Sequence, residues 1–344
     1  MRRASARIAA ALLGGACLFG PPGAAFAQGT GSVTLDAVKA RGELVCGVPG
    51  NTEGFALPDS HGVMRGIEAD GCRAIAAAIF GDPAKVMYVA LSTQTRFTAL
   101  QSAEVDVLIR TAAWSLGREA TLGTEFAGIY VYDGVGFMVK QTMGVASAKE
   151  LDGATVCMQP GTNTELAVAE YFHEANMKFT PLLIDNLAEI LHAFTSGRCD
   201  VICRISTGLA SFRASQRNPD DYRVLPEIVS KEPLGPVVRK GDDKWFDIIR
   251  WTYFAQLIAE EHGITSGNID EHMSTTDPEE RRMLGLEGDL GKALGLDNKW
   301  AYNAIKAAGN AQEIWDRNLG ALGIPRGLNA LWNKGGLMYA PPMR

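Results

Sequence analysis

The chain has 344 residues and a formal net charge of −6, with 47% hydrophobic and 21% charged residues and six cysteines. This acidic balance offers no electrostatic footprint for nucleic acid or anionic lipid. The length suffices for two ordinary domains of ~100–200 residues each.

The first 27 residues read as an export leader. Arg2, Arg3 and Arg7 precede an apolar run from Ile8 to Phe19, and Ala25-Phe26-Ala27 before Gln28 fits a cleavage site. A lipoprotein reading through Cys17 is weaker, because Gly14-Gly15-Ala16 lacks the leucine expected three positions earlier. No later stretch supplies the ~20 continuous apolar residues of a membrane span. In an oxidising compartment disulfides are expected. Cys46 and Cys72 fall in the first third and Cys157 and Cys199 in the middle, so two bridges in separate domains would leave Cys203 odd. Spacing alone leaves the connectivity open. The histidines, His61, His173, His192, His262 and His272, form no HExxH or similar spacing, so neither a metal nor another cofactor is expected.

After a polar leader, ELVCGV (43–48) predicts a strand and GIEADGCRAIAAAIFG (66–81) a helix with Ile67, Ile75 and Ile79 on one face. KVMYVAL predicts a second strand, RFTALQSAE (96–104) a helix, and VDVLI (105–109) a third strand. Strands alternating with helices point to a parallel sheet with helical crossovers, an α/β fold. The pattern repeats as strand ATVCM, loop QPGTNTE, helix ELAVAEYFHEA, strand FTPLLI, helix NLAEILHAFTSG, strand DVICRI and helix GLASFRA. Two extended segments, GVGFMVKQ (134–141) and EPLGPVVRK (232–240), join the units. Two crossings between two lobes make a hinge with a cleft. The expected division is lobe 1 over 33–138 and 240–344 and lobe 2 over 139–239. A long helix starts near Trp245, and from about 266 the chain adds a helical extension in which Trp300, Ile305 and Ile314 recur at helical spacing as packing residues. GLEGDLGKALG is not a phosphate loop, since Ala293 follows Lys292 where a hydroxyl is needed.

In order, GIEADGCRAIAAAIFGD, RFTALQSAEVDVL, WSLGREATLG, YDGVGFMVK, CMQPGTNTE and SKEPLGPVVRKGDDKWFDIIRW resemble the periplasmic amino-acid-binding proteins of ABC importers, the general polar amino-acid type of solute-binding family 3. The resemblance implies a two-lobed, type II periplasmic-binding-protein-like fold. It further implies a periplasmic, monomeric receptor that closes over a small carboxylate or amino acid and presents it to an inner-membrane ABC permease. It implies a receptor rather than an enzyme.

In that family a zwitterion is held by an arginine fork from one lobe and by amides at a helix start in the other, a bidentate and directional pairing. Arg118 stands at the arginine position and Thr162 at the helix start, with Asn163 beside it where threonine or serine is usual. Trp114 reads as a core residue, and Phe55 stands where an aromatic often meets the ligand side chain. The ammonium half departs from the pattern. RTAAWS gives Arg110, Thr111, Ala112 and Ala113, with alanines where threonines are common. In CDVICRISTGLAS the aspartate position is Ile205 and the threonine before it is Arg204. Burying an ammonium without an acceptor costs several kcal/mol, most of a micromolar affinity of ~8 kcal/mol. The reading therefore shifts toward an acidic or non-amino ligand unless Glu53 or a backbone carbonyl serves as acceptor. Two alternatives accompany it: a cyclohexadienyl or arogenate dehydratase-like enzyme on the same fold, for which Glu53 is the sole acid to test, and a ligand-binding partner of a sensor kinase.

Overall fold

The computed structural model describes residues 29–344, so the expected export leader lies outside the described residues. None of the described helices is long and apolar enough to cross a membrane. Two five-stranded sheets carry the architecture. The first runs in the order Val86–Ala90, Leu44–Val48, Val107–Leu108, Val237–Arg239, Thr124–Phe126, and the second in the order Thr180–Leu183, Thr155–Met158, Val201–Ile205, Val135–Lys140, Tyr222–Val224. In each, the first three strands are parallel and the fourth enters antiparallel. The shared order explains the repeated strand-helix pattern of the sequence, because helical crossovers connect parallel neighbours. In such sheets ligands gather beyond the carboxyl ends of the strands.

Local chemistry fixes the helices that face the cleft. Thr162 caps Asn163–Glu174 by accepting from the Glu165 amide, and Asn186 caps Leu187–Thr195 through the Glu189 amide, each satisfying an otherwise orphan donor. The helix Ser206–Ser215 has Ile205 at its N-cap, which cannot do this. Asp133 supplies the cap from outside: Oδ1 accepts from the Ser206 amide at 3.0 Å and its hydroxyl at 2.6 Å, and Oδ2 accepts from the Thr207 amide and hydroxyl.

Asp133 ends one strand of the hinge. Val131–Asp133 pairs antiparallel with Glu232–Leu234, a ribbon belonging to neither large sheet. The chain turns from this ribbon into the sheets at Gly134 and Gly235, where a Cβ would lie 2.2 Å from Ile228 Cγ2 and from the Gly128 carbonyl oxygen respectively. The crossings therefore fall earlier than the divisions expected after 138 and 239. Val135–Lys140 runs wholly in the second sheet and Val237–Arg239 in the first, and the close approaches at Gly134 and Gly235 leave no room for a Cβ at either turn.

Each lobe has its own disulfide, Cys46–Cys72 and Cys157–Cys199, and Cys203 is a buried free thiol. The first-lobe core is enlarged by residues from 264 onward: Trp300, Ile305, Ile314 and Trp315 pack into the same buried cluster as Leu44, Phe55 and Ile75. The helical run after Trp300 breaks at Gly309 into Trp300–Ala308 and Ala311–Asn318. The extension also reaches the hinge. Asn329, almost fully buried, accepts the Tyr132 amide at 2.6 Å and donates to the Tyr132 carbonyl at 3.0 Å.

Candidate ligand-binding cleft

Between the lobes lies a cleft with about 480 Å³ of free space, its open mouth included, a volume suited to a small molecule. The first lobe lines it with Thr93, Arg96, Arg110, Thr111, Ala113 and Arg118, and the second with Gln159, Thr162, Asn163, Thr164, Arg204 and Ile205. Glu232 of the hinge ribbon completes the wall. The lobes touch across it where the Thr93 hydroxyl donates to Asp185. A larger apolar cavity among Ile75, Tyr253, Ile314 and Trp315 is enclosed by the first-lobe helices and the extension and carries no comparable charge.

Four guanidiniums converge on the cleft, and none of them forms an ion pair within 4.0 Å among the described residues. Arg118 Nη1 donates to the Ala113 carbonyl at 2.6 Å, and Arg110 Nε to the Leu91 carbonyl at 2.7 Å. These bonds aim the side chains while consuming only one of five donors each. Arg96 and Arg118 flank the Phe97 ring, 5.1 and 5.2 Å from its centroid, and Arg96 Nε is buried without a partner. Burial, followed by the charges of Arg110 and Arg118, lowers the Arg96 pKa well below its ordinary value. Arg204 is pushed down to about 10, again by burial first and then by Arg110, with Asp133 and Glu68 opposing. The site thus concentrates positive charge that nearby Glu68, Asp133, Asp185 and Glu232 offset without direct ion pairs.

On the facing wall the Thr162 hydroxyl is fully engaged, donating to the Gln159 carbonyl and accepting from Glu165. What remains for a ligand is the amides of Asn163 and Thr164, which lack intrahelical acceptors and sit at the positive end of the helix dipole. Asn163 Nδ2 lies 3.5 Å from Glu232 Oε2. Glu232 is buried, and that burial raises its pKa against the hydrogen bond from Ser230 and the charge of Arg118. It is the one carboxylate among the lining residues.

Behind the first-lobe wall Glu68 is wholly buried. Its Oε1 accepts from the Thr111 amide at 2.5 Å and the Tyr130 hydroxyl at 2.6 Å, while Oε2 has no partner. Thr111 has φ +39°, a left-handed conformation for a β-branched residue, which persists only where its surroundings over-determine it. The Glu68 carboxyl supplies that constraint and so fixes a cleft-lining residue.

Of the residues singled out from sequence, Arg110, Thr111, Arg118, Thr162, Asn163, Arg204 and Ile205 are brought together here. Phe55 is not: it is fully buried in the first-lobe core, because the loop after the first strand folds down beneath the extension. Glu53 likewise lies off the lining, and its backbone carbonyl accepts from the Ser211 hydroxyl across the interlobe contact at 2.8 Å. Trp114, expected in the core, is 40% exposed and stacks on Phe126 with centroids 6.0 Å apart. Sequence reasoning missed Arg96, Glu232, Glu68 and Asp133. Arg96 and Glu232 begin segments read only as a helix and a crossing, and the signal available was a charged residue at each segment's first position.

The family model for bacterial extracellular solute-binding proteins, family 3, matches residues 44–262. The glutamate/glutamine/aspartate/asparagine-binding protein BztA of Rhodobacter capsulatus is 53% identical over 326 residues, covering 93% of this chain and 96% of that protein. The general L-amino acid-binding periplasmic protein AapJ of Rhizobium johnstonii is 50% identical over 323 residues, covering 92% and 95%. Among solved structures, an ABC transporter periplasmic binding protein from Brucella ovis with glutathione bound is 48% identical with a TM-score of 0.88, covering 90% of this chain and 99% of that one.

Proposed function

The chain belongs to the bacterial extracellular solute-binding proteins of family 3, and from that premise we propose that it is a periplasmic receptor that captures an acidic solute for an ABC permease. The solute carries at least two anionic groups and at most one ammonium. One observation carries this reading: Arg96, Arg110, Arg118 and Arg204 line the cleft without a carboxylate in ion-pair contact. A ligand with a single carboxylate leaves most of these guanidiniums buried and unpaired, which is costly. A second anionic group restores bidentate pairing. One carboxylate meets Arg118 and the amides opening Asn163–Glu174, and the second meets Arg204 and Arg110. At the positions where the family places ammonium acceptors, Ile205, Ala112 and Ala113 offer no side-chain oxygen. Glu232 is the remaining acceptor, so an amino group is tolerated in one place. Acidic amino acids, dicarboxylates and small acidic peptides fit this description. The glutathione-bound Brucella protein and the glutamate and aspartate in the name of BztA support that range, whereas the glutamine and asparagine in the same name carry a single carboxylate.

Binding closes the hinge by favouring the closed population rather than by driving a reaction. Titration calorimetry with glutamate, glutamine, glutarate and reduced glutathione tests the proposal. The expected result is that glutamate or glutarate binds at least tenfold more tightly than glutamine. Equal or tighter binding of glutamine overturns it. A dehydratase reading is favoured by one feature, the raised pKa of buried Glu232, which suits a general acid. Consumption of prephenate or arogenate, followed by product analysis, decides in its favour.

A further inference from the structure

His262, His272, Asp277, Glu279 and Glu280 meet where the extension leaves the long helix Asp243–Glu261. The Glu280 carboxylate lies between the two imidazoles. His262 Nδ1 lies 3.2 Å from Glu280 Oε1, and His272 Nδ1 lies 2.9 Å from Glu280 Oε2. Ligand atoms of His262, Asp277 and Glu280 all fall within 4.8 Å of one another. Two atoms bound to one tetrahedral zinc ion at ~2.0–2.2 Å stand roughly 3.3 Å apart, so the His262–Glu280 pair needs almost no rearrangement.

We propose that His262 Nδ1, Glu280 Oε1 and the Asp277 carboxylate bind a zinc-class divalent ion, with water in the fourth position. Two further observations support the assignment. His262 Nε2, which must carry the proton once Nδ1 is metallated, lies 3.6 Å from Glu279 Oε2, just beyond a hydrogen bond and close enough for a small shift to give the carboxylate partner that orients an imidazole ligand. His272 occupies the second oxygen of Glu280 and holds that carboxylate in place. The charge balance points the same way, since the ion pairs of Glu279 and Glu280 among the described residues are with these two histidines alone. The imidazole favours a zinc-class transition ion over magnesium or calcium, whose ligands are oxygens. Entry is open, because Asp277 is exposed and both imidazoles are partly so. The ion ties the end of the long helix to Pro278–Met283. Glu279 Oε1 accepts from the Met343 amide at 3.0 Å, extending the tie to the last residues of the chain.

Calorimetry of the EDTA-treated full chain with zinc chloride reads this directly. The expected result is one ion per chain, with H262A and E280Q each weakening binding at least tenfold, H173A leaving it unchanged, and magnesium or calcium giving no binding. Melting of the metal-free variants establishes that they are folded. If either is not, the His262 Nδ1 resonance in the unmutated chain is the readout, shifting with one equivalent of zinc. Absence of stoichiometric zinc binding, binding that survives both substitutions in folded protein, or an unshifted His262 resonance overturns the assignment.

Discussion

Replacing Glu68 with glutamine removes one proton-binding group from beneath the cleft wall. Burial raises this carboxyl from 4.5 to about 7, against hydrogen bonds from Tyr130 and Thr111 and the charges of Arg110 and Arg96. A folded value above the unfolded one means that protonation favours the folded chain. Its contribution is fully present below pH 4.5 and is lost as pH rises through 7. At 1.36 kcal/mol per unit the full difference is about 3 kcal/mol, of which about 2–3 kcal/mol falls between pH 5 and 8.5. Glutamine preserves the acceptor for Thr111 and Tyr130 and places an amide where Oε2 has no partner. Urea unfolding of both proteins at pH 5 and 8.5 measures the change. The wild type loses about 2–3 kcal/mol relative to E68Q over that interval, because Asp106, Asp133 and Glu232, also raised by burial, titrate in both chains and cancel. A wild-type-minus-variant difference that stays constant with pH refutes the reasoning.

Arg118→Ala removes a buried guanidinium whose loss from a charge pair costs roughly 2–5 kcal/mol, so acidic ligands weaken by about 30-fold or more in calorimetry while folding persists. Arg204→Ala weakens dianionic ligands by about tenfold or more and narrows the preference for glutamate over glutamine; an unchanged ratio excludes the second anion position. Phe55→Ala empties a filled core position and destabilises by about 3–5 kcal/mol in denaturant titration, yet leaves ligand affinity of the folded protein within about twofold. Substituting Cys157 and Cys199 together by alanine opens a 42-residue separation and destabilises by about 4 kcal/mol, read by urea unfolding.

The alternation of strands and helices disclosed both lobes because each parallel neighbour needs a helical crossover, and that pattern survives in any reading of apolar runs. The hinge boundaries were less legible. GVGFMVK reads as one extended run, and only the crowding of Ile228 and Ser230 against Gly134 marks where the chain changes sheets. The cleft arginines Arg110, Arg118 and Arg204 were legible through their places beside strand ends and within family words. Arg96 and Glu232 were not, since sequence does not say toward which side of a short helix or ribbon a charge is turned. Phe55 misled because its loop descends into a core that the extension completes, and residues 264 onward are distant in sequence. The two histidines on Glu280 were invisible for the same reason: His262 ends one helix while His272 lies in a separate turn, outside any fixed ligand spacing.

Arg204 rides on one lobe and Arg110 on the other, and the charge of Arg110 helps to lower the pKa of Arg204. Bringing these like charges together is unfavourable, and an anion held between them offsets the repulsion. Cargo and latch are then the same object. On the proposed receptor role, a bound anion favours the closed population over the open one.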